Sequence, residues 1–181
     1  MEIFMENYKR LDRKLVHKGH IIDLYQDTIE LPDGNTTEWD YIQHKGAAAI
    51  VPVDNNGNVI MVRQYRNAIE KWTLELPAGG LNPNEDMKTC AIRELEEETG
   101  YHTEDATHLI DIYTTVAFCN EKIGIYYTND ISLTEQNLDE GEYVTIEAYP
   151  LDELIQMIYD GVIEDSKTIA GLLAYKTKVV G

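Results

Sequence analysis

Three glutamates that could bind a metal ion, Glu94, Glu97 and Glu98, are spaced three and four residues apart, as on one side of a helix. Positions three and four apart are neighbours on one side of a helix, so the three carboxylates would crowd together. A like-charged pair at that spacing costs about 0.2–0.5 kcal/mol in an isolated helix, and the cost grows with burial. Arg93 can neutralise part of this charge, whereas a divalent cation would neutralise it fully. Carboxylate oxygens are hard ligands that suit Mg²⁺ or Mn²⁺.

The alternative is an ordinary solvated acidic face, which is the commoner meaning of a Glu-rich segment. The surrounding pattern argues against it. Seven positions spell G-x5-E-x7-R-E-x-x-E-E-x-G, namely Gly79, Glu85, Arg93, Glu94, Glu97, Glu98 and Gly100. At about 7% usage for each residue type, a chain of this length would match all seven by chance on the order of once in a million. The pattern therefore favours a metal site.

Composition limits the classes of function. The 181 residues include 15 Lys and Arg against 33 Asp and Glu, which gives a formal net charge of −18. Such a surface repels nucleic-acid backbones and anionic membranes, so we expect neither as a partner. An anionic ligand would need a metal ion or a local basic cluster. No apolar segment approaches the length of about 18 residues that a membrane-spanning helix requires.

The two cysteines give the expected compartment. Cys90 and Cys119 lack the CxxC spacing of a redox or zinc site, and we see no secretory leader pattern. We therefore expect a reducing, cytoplasmic environment.

The elements that must hold the glutamates can be predicted in outline. Turn residues at 32–35 and 54–58 predict two hairpins, with strands at 20–31 and 36–44 and at 47–53 and 59–65. A helix over about 86–99 is expected to begin at a cap, Asn82 or Asn84, and to end at Gly100. Its apolar stripe should pack on a sheet. Further strands are predicted at 73–76, 107–115, 122–128 and 143–148, an acidic loop at 131–142, and helices at 151–159 and 166–175. This order predicts an α+β fold or a three-layer sandwich.

The 23 residues from Gly79 to Tyr101 resemble the Nudix box of the Nudix hydrolases. The resemblance implies an α/β/α sandwich with a mixed sheet that binds Mg²⁺, or Mn²⁺, and hydrolyses a nucleoside diphosphate linked to another group. It also implies that Arg93 orients a glutamate and that Glu85 is structural. The metal ligands implied are the Ala78 carbonyl, Glu94, Glu97 and Glu98, and Glu97 is assigned to catalysis together with Arg93.

Motifs outside the box resemble those of the ADP-ribose pyrophosphatases, which cleave a nucleoside diphosphate sugar. They are Arg63-Gln64-Tyr65-Arg66, Glu75-Leu76-Pro77-Ala78-Gly79 and Phe118-Cys119-Asn120-Glu121-Lys122. The resemblance implies that Arg63, Arg66, Glu75 and Glu121 bind substrate, with Glu121 near the terminal ribose. An arginine can pair bidentately with phosphate. Arg63 and Arg66 are alternatively strand-end surface charges, and Glu121 is alternatively half of a turn pair with Lys122.

Two positions depart from those pyrophosphatases. Val116 stands where they usually carry proline, and Trp39 stands where the family often has arginine. An indole cannot bind phosphate bidentately, but Trp39 can stack on adenine as a substrate-binding residue, or simply pack. Both departures leave the glutamate chemistry intact and bear on which substrate is used.

Hydrolysis also needs a base to deprotonate water. Similar enzymes use a glutamate of a mobile acidic loop, and Glu142 matches best, with Glu140 as second choice. A solvated hairpin loop is the alternative interpretation of this segment.

The resemblance also implies a domain organisation and an assembly. We expect residues 1–44 to form an N-terminal β-hairpin extension that exchanges strands in a homodimer, and residues 45–181 to form the hydrolase domain. Hydrolysis of another sugar nucleotide, such as GDP-mannose or a UDP-sugar, is the alternative activity. A non-catalytic nucleotide-sensing domain is a second alternative, although such proteins usually lose metal glutamates that this chain keeps.

Overall fold

A computed structural model describes residues 8–138 and 141–181 of the chain. These residues form two compact units. The first contains the N-terminal residues up to Lys45 together with Tyr113–Glu121, and the second contains Gly46–Ile112 and Lys122–Gly181.

The first unit is built on a three-stranded antiparallel sheet of β1 (Lys9–Lys18), β2 (Asp23–Glu30) and β3 (Thr36–Gln43), in that order. The predicted hairpin at 20–31 and 36–44 is confirmed as β2 and β3. Strand β1 was not predicted, because its charged residues hide the alternation that usually marks a strand. Arg13 on β1 donates two hydrogen bonds of 2.6 Å to the Asp27 carboxylate on β2.

The second unit holds three sheets. Their orders are β7-β4-β10-β9, β12-β5-β6 and β11-β8, and the first is mixed because β4 runs parallel to β10 and antiparallel to β7. The strands are β4 (Ala47–Pro52), β5 (Asn58–Arg66), β6 (Lys71–Glu75), β7 (Ala78–Gly80), β8 (Tyr101–His102), β9 (Thr107–Tyr113), β10 (Lys122–Thr128), β11 (Ser132–Leu133) and β12 (Val144–Pro150).

Strand β4 lies at the centre of this unit between two helices, since all six of its residues are buried. Ala48 and Ile50 pack in a cluster with the helix α1 (Met87–Thr99), while Val51 packs in a second cluster with Leu172 of a later helix. Successive strand residues point to opposite faces, so one helix lies on each face. The α+β class and the α/β/α sandwich expected from the sequence are confirmed.

The second predicted hairpin is wrong. Strand β4 pairs with β7 and β10, whereas β5 pairs with β6 and β12; among the described residues, the single β-bridge between Val53 and Val59 is the strand pairing that joins the two segments. The turn between them forms as expected, with the Asp54 N–H donating to the Asn58 carbonyl at 2.9 Å. A strand that is apolar on both faces needs a central position beside a parallel neighbour, and the local turn cannot supply that neighbour.

The helices lie close to their predicted positions, but the first begins at a different cap. The Asp86 carboxylate accepts hydrogen bonds from the N–H groups of Lys88 and Thr89, at 3.0 and 3.1 Å, so neither Asn82 nor Asn84 is the cap. The remaining helices of the described residues are a 3-10 helix at Asn67–Ile69, α2 (Leu151–Tyr159), α3 (Ser166–Tyr175), which is capped by Asp165, and a π-helical turn at Lys176–Val180. None of the helices in the described part of the chain combines the length and apolar character needed to span a bilayer.

Candidate active site

The glutamate helix is fixed to the sheet by its apolar side. Ala91 and Leu95 of α1 are fully buried against Ala48 and Ile50 of β4, as the apolar stripe predicted. The helix ends at Gly100, whose φ of 64° is left-handed and favours glycine. This packing turns the neighbouring face of α1, which carries the glutamates, toward β7.

Close contact with β7 places Glu94. A β-carbon on Gly79 would overlap the Glu94 carboxylate, so glycine at this position is what lets the carboxylate approach the backbone. Burial raises the pKa of Glu94, the charge and hydrogen bond of Arg93 oppose that rise, and the negative charges of Glu97 and Glu142 reinforce it.

Glu98 is the most buried acid of the helix, with 4% of its surface exposed. Its Oε2 accepts a hydrogen bond of 2.9 Å from the Ala78 N–H. Burial raises the pKa of Glu98 to about 8, and the negative charges of Glu94 and Glu142 contribute to the rise. The exposed Glu142 therefore acts electrostatically on both box glutamates.

Arg93 connects three of the glutamates by hydrogen bonds. It donates two hydrogen bonds to Glu85, at 2.8 and 2.9 Å, and its Nη1 donates to Glu94 and Glu97 at 2.6 and 2.7 Å. Hydrogen bonds from Arg93 lower the pKa of Glu85 to about 2, and those to Glu85 and Glu97 raise the pKa of Arg93. Glu85 thus anchors the guanidinium that orients two other glutamates.

Residues 134–137, which precede Glu142 in the sequence, are hydrogen-bonded to the end of α1. The Thr134 N–H donates to the Gly100 carbonyl at 2.6 Å, and the Asn137 N–H donates to the Glu97 carbonyl at 3.0 Å. The Gln136 side-chain amide donates to the Glu98 carbonyl at 2.6 Å. These bonds satisfy helix carbonyls that otherwise lack partners.

The donor set fits a hard divalent cation. Carboxylates and a backbone carbonyl are the oxygen ligands that Mg²⁺ prefers, and a bound cation would favour the ionised form of Glu98, whose pKa burial raises. Across residues 8–138 and 141–181, no three His, Cys, Asp or Glu side chains already converge on a common point. Since Arg93 binds Glu94 and Glu97, these two side chains would have to turn toward an ion.

A second charged cluster lies on β5, β6 and α3. Arg66 donates two hydrogen bonds to the Glu75 carboxylate, at 2.7 and 2.5 Å, and the Lys167 ammonium also donates to Glu75. Burial acts to raise the pKa of Glu75, but the hydrogen bond of Arg66 and the charge of Lys167 outweigh it and lower the pKa to about 2. Lys167 was not anticipated from the sequence. Its one local signal is a cation in the first turn of a helix, where the helix dipole disfavours positive charge.

Arg63 belongs to a separate pair. Its Nε and Nη2 donate to the Glu147 carboxylate on β12 at 2.5 and 3.2 Å, and the Tyr149 hydroxyl donates to the same carboxylate. The hydrogen bonds from Arg63 lower the pKa of Glu147. Glu147 and Tyr149 were not anticipated from the sequence.

A family model for the NUDIX domain matches residues 43–172. The chain belongs to the Nudix hydrolase family. A second model, described as the nucleoside diphosphate sugar hydrolase N-terminal domain, matches residues 8–42. Nudix hydrolases generally need divalent metal ions, which agrees with the donor types at this site.

Two curated relatives and one solved structure show how far the likeness of this Nudix chain extends. It is 39% identical over 163 residues to a protein named methanol dehydrogenase activator from Bacillus methanolicus, covering 89% of this chain and 88% of that one. It is 33% identical to an ADP-ribose pyrophosphatase from Bacillus subtilis (strain 168), covering 88% of each chain. A crystal structure of an ADP compounds hydrolase superposes with a TM-score of 0.85 at 21% identity, covering 96% and 95% of the two chains, and supports the fold.

Two of the substrate residues expected in this Nudix protein lie in the first unit. Trp39 is 48% exposed and its ring centroid lies 5.7 Å from that of Tyr8. Glu121 accepts a hydrogen bond of 2.7 Å from the Thr114 hydroxyl, and its Oε1 lies 3.4 Å from Nδ1 of His44. Their contacts with substrate stay predictions, and Glu140 lies outside the described residues.

Proposed function

We propose that this Nudix protein hydrolyses the pyrophosphate bond of ADP-ribose, or of a related nucleoside diphosphate sugar, with Mg²⁺ as cofactor and Mn²⁺ as a possible substitute. The main observation behind the proposal is that Glu98 is buried beside Glu94. Two neighbouring carboxylates away from water are stabilised in their charged form by a bound cation. The ADP-ribose pyrophosphatase relative supports the substrate class.

The metal site would be formed by Glu94, Glu97, Glu98 and the Ala78 carbonyl. When bound there, the ion supplies positive charge for the diphosphate and lowers the pKa of coordinated water. Glu85 and Arg93 keep the carboxylates in position from the other edge of the helix.

The remaining chemistry belongs to side chains around this helix. Glu142, whose charge acts on Glu94 and Glu98, accepts the proton of the attacking water. The water oxygen bonds to one phosphorus while the bridging phosphorus–oxygen bond breaks, which yields AMP and ribose 5-phosphate from ADP-ribose. Arg66 supplies a guanidinium edge for a phosphate oxygen.

Two further assignments complete the proposal. The free thiols of Cys90 and Cys119 support a cytoplasmic location. Leu11, Leu15 and Val16 on β1 are exposed, which supports a homodimer formed through the N-terminal sheet. We propose that the two protomers exchange strands of this sheet, and that the hydrolase domain begins after residue 44. Light scattering tests the dimer, and a fully active monomer of 20.7 kDa would contradict it.

The activity is tested by incubating the full chain with Mg²⁺ and a panel of ADP-ribose, GDP-mannose and a UDP-sugar, followed by chromatography of the products. AMP and ribose 5-phosphate are expected from ADP-ribose. Preference for another member would select the alternative substrate, which also belongs to the nucleoside diphosphate sugars named by the family model that matches residues 8–42. If no sugar nucleotide is cleaved with Mg²⁺ or Mn²⁺, the proposal is wrong.

Glu98→Gln provides the matched inactive variant for this assay. The amide keeps the side-chain volume but loses the charge, so turnover should fall by several orders of magnitude while the fold persists. Near-normal activity in this variant would contradict the metal assignment.

A further inference from the structure

The cluster around Glu75 is organised from the interior outward. The Glu75 side chain is 1% exposed and that of Lys167 is 9% exposed, whereas the side chain of Arg66 is 42% exposed. Glu75 therefore lies between a buried cation and a cation that reaches solvent. The Thr73 hydroxyl adds a hydrogen bond of 2.5 Å to the same carboxylate.

One edge of the Arg66 guanidinium is open for a ligand. Its Nε and Nη2 are both committed to Glu75, and in the described part of the chain its Nη1 has no protein hydrogen-bond partner. A guanidinium held on one side and open on the other is suited to bind a phosphate oxygen, because charge-assisted hydrogen bonds to phosphate are strong and directional.

Lys167 is difficult to explain by helix stability. It lies in the first turn of α3, two residues after the cap Asp165, where positive charge is disfavoured. Its ammonium donates to Asp165 at 2.9 Å as well as to Glu75. Buried ion pairs rarely add net stability, and Glu75 already has a bidentate partner in Arg66. Lys167 is thus a second cation on the Glu75 carboxylate, and its role is more readily explained as holding that carboxylate in one orientation.

We propose that Lys167 is a positioning residue that fixes Glu75, and through it holds the open edge of Arg66 toward the diphosphate of the substrate. This inference rests on the proposed function, because it assigns the anion that Arg66 binds.

The test compares Lys167→Met and Lys167→Arg with a control, Lys176→Met. Lys176 follows the same helix and pairs with Asp152 at 2.9 Å, but it lies at the surface. Binding of the non-hydrolysable α,β-methylene-ADP is measured by calorimetry with Mg²⁺ present, and KM and kcat are measured with ADP-ribose. Lys167→Met should raise both Kd and KM about tenfold and change kcat less, Lys167→Arg should recover most of the loss, and Lys176→Met should match the wild type.

A double-mutant cycle separates positioning from general structural damage. If Lys167 acts through Arg66, Lys167→Met should change Kd less than about twofold in a protein that already carries Arg66→Ala. An equal loss in both backgrounds, or unchanged Kd in the single variant, would overturn the inference.

A second variant keeps the test decisive if Lys167→Met does not fold. Glu75→Gln keeps the side-chain volume and weakens the hydrogen bonds to Arg66 and Lys167. It should therefore raise the Kd for α,β-methylene-ADP in the wild-type background and have little effect in a protein that already carries Arg66→Ala. Circular dichroism establishes which variants are folded. A wild-type protein that neither binds α,β-methylene-ADP nor cleaves sugar nucleotides would instead contradict the proposed function.

Discussion

The carboxylate of Glu94 lies against the backbone of Gly79, in the space that a β-carbon would fill. Gly79 opens the box pattern and Glu94 lies fifteen residues later, so the first glycine of the pattern makes room for a proposed metal ligand. The strand β7 and the helix α1 can approach this closely only while that position has no side chain.

Replacing Gly79 with alanine should therefore push the Glu94 carboxylate away from β7. Overpacking of this kind costs about 1–3 kcal/mol of stability, and displacement of a ligand should lower kcat by about 10²-fold or more. Mn²⁺ binding by calorimetry and steady-state kinetics are the measurements. Gly80→Ala is the control, because a β-carbon there would meet no atom within 4 Å. Equal effects from the two variants would contradict the steric explanation.

Stability of the metal-free protein should depend on pH through Glu98. Its pKa is raised from 4.5 to about 8 in the folded state. Between these values the folded protein keeps a proton that the unfolded chain releases, so the free energy of unfolding falls as pH rises through this window, and it levels off above it. The loss is on the order of a few kcal/mol. Urea unfolding in EDTA at pH 5 and pH 9 measures it.

Glu98→Gln is the reference for this pH experiment, since it removes the titrating group and keeps the shape. The difference in slope between wild type and variant isolates Glu98 from all other groups. Addition of Mg²⁺ at pH 9 should restore stability to the wild type and not to the variant. A wild-type slope equal to that of the variant would show that Glu98 is ionised normally.

Glu142→Gln tests the base. A general base contributes about 10²–10⁴-fold, so kcat should fall by that range at pH 7 while Mg²⁺ affinity changes little. Glu153→Gln, an exposed acid in the first turn of α2, is the control and should leave kcat unchanged. If Glu142→Gln retains full kcat, another group takes the proton, and Glu140 would be the next residue to substitute.

Asp86 should contribute to stability as the helix cap. Asp86→Ala leaves the N–H groups of Lys88 and Thr89 without their acceptor, and the thermal midpoint should fall by about 2–4 °C. Asn84→Ala is a useful comparison. Because Asn84 has a left-handed φ of 64°, its substitution should cost stability through backbone strain and should leave the cap intact. Thermal unfolding followed by circular dichroism distinguishes the two variants from the wild type.

Local patterns predicted the elements well and their partners poorly. The strand β10 and the helices α2 and α3 lie at the positions that periodicity and capping indicated. The pairing of β4 with β10 joins residues far apart in the chain, and no turn signal encodes such a pairing. The same reason explains why Lys167 was missed, since its partner Glu75 lies 92 residues earlier. The box motif, by contrast, is contiguous, so its spacing alone located the glutamates.

The last glycine of the box has a second use beyond ending α1. A β-carbon on Gly100 would lie 2.9 Å from the backbone nitrogen of Gln136, within the segment that is tied to the helix end and continues toward Glu142. Any larger residue at position 100 would force that segment outward. Gly100 therefore determines both where the glutamate helix stops and how closely residues 134–137, which precede Glu142 in the sequence, approach it.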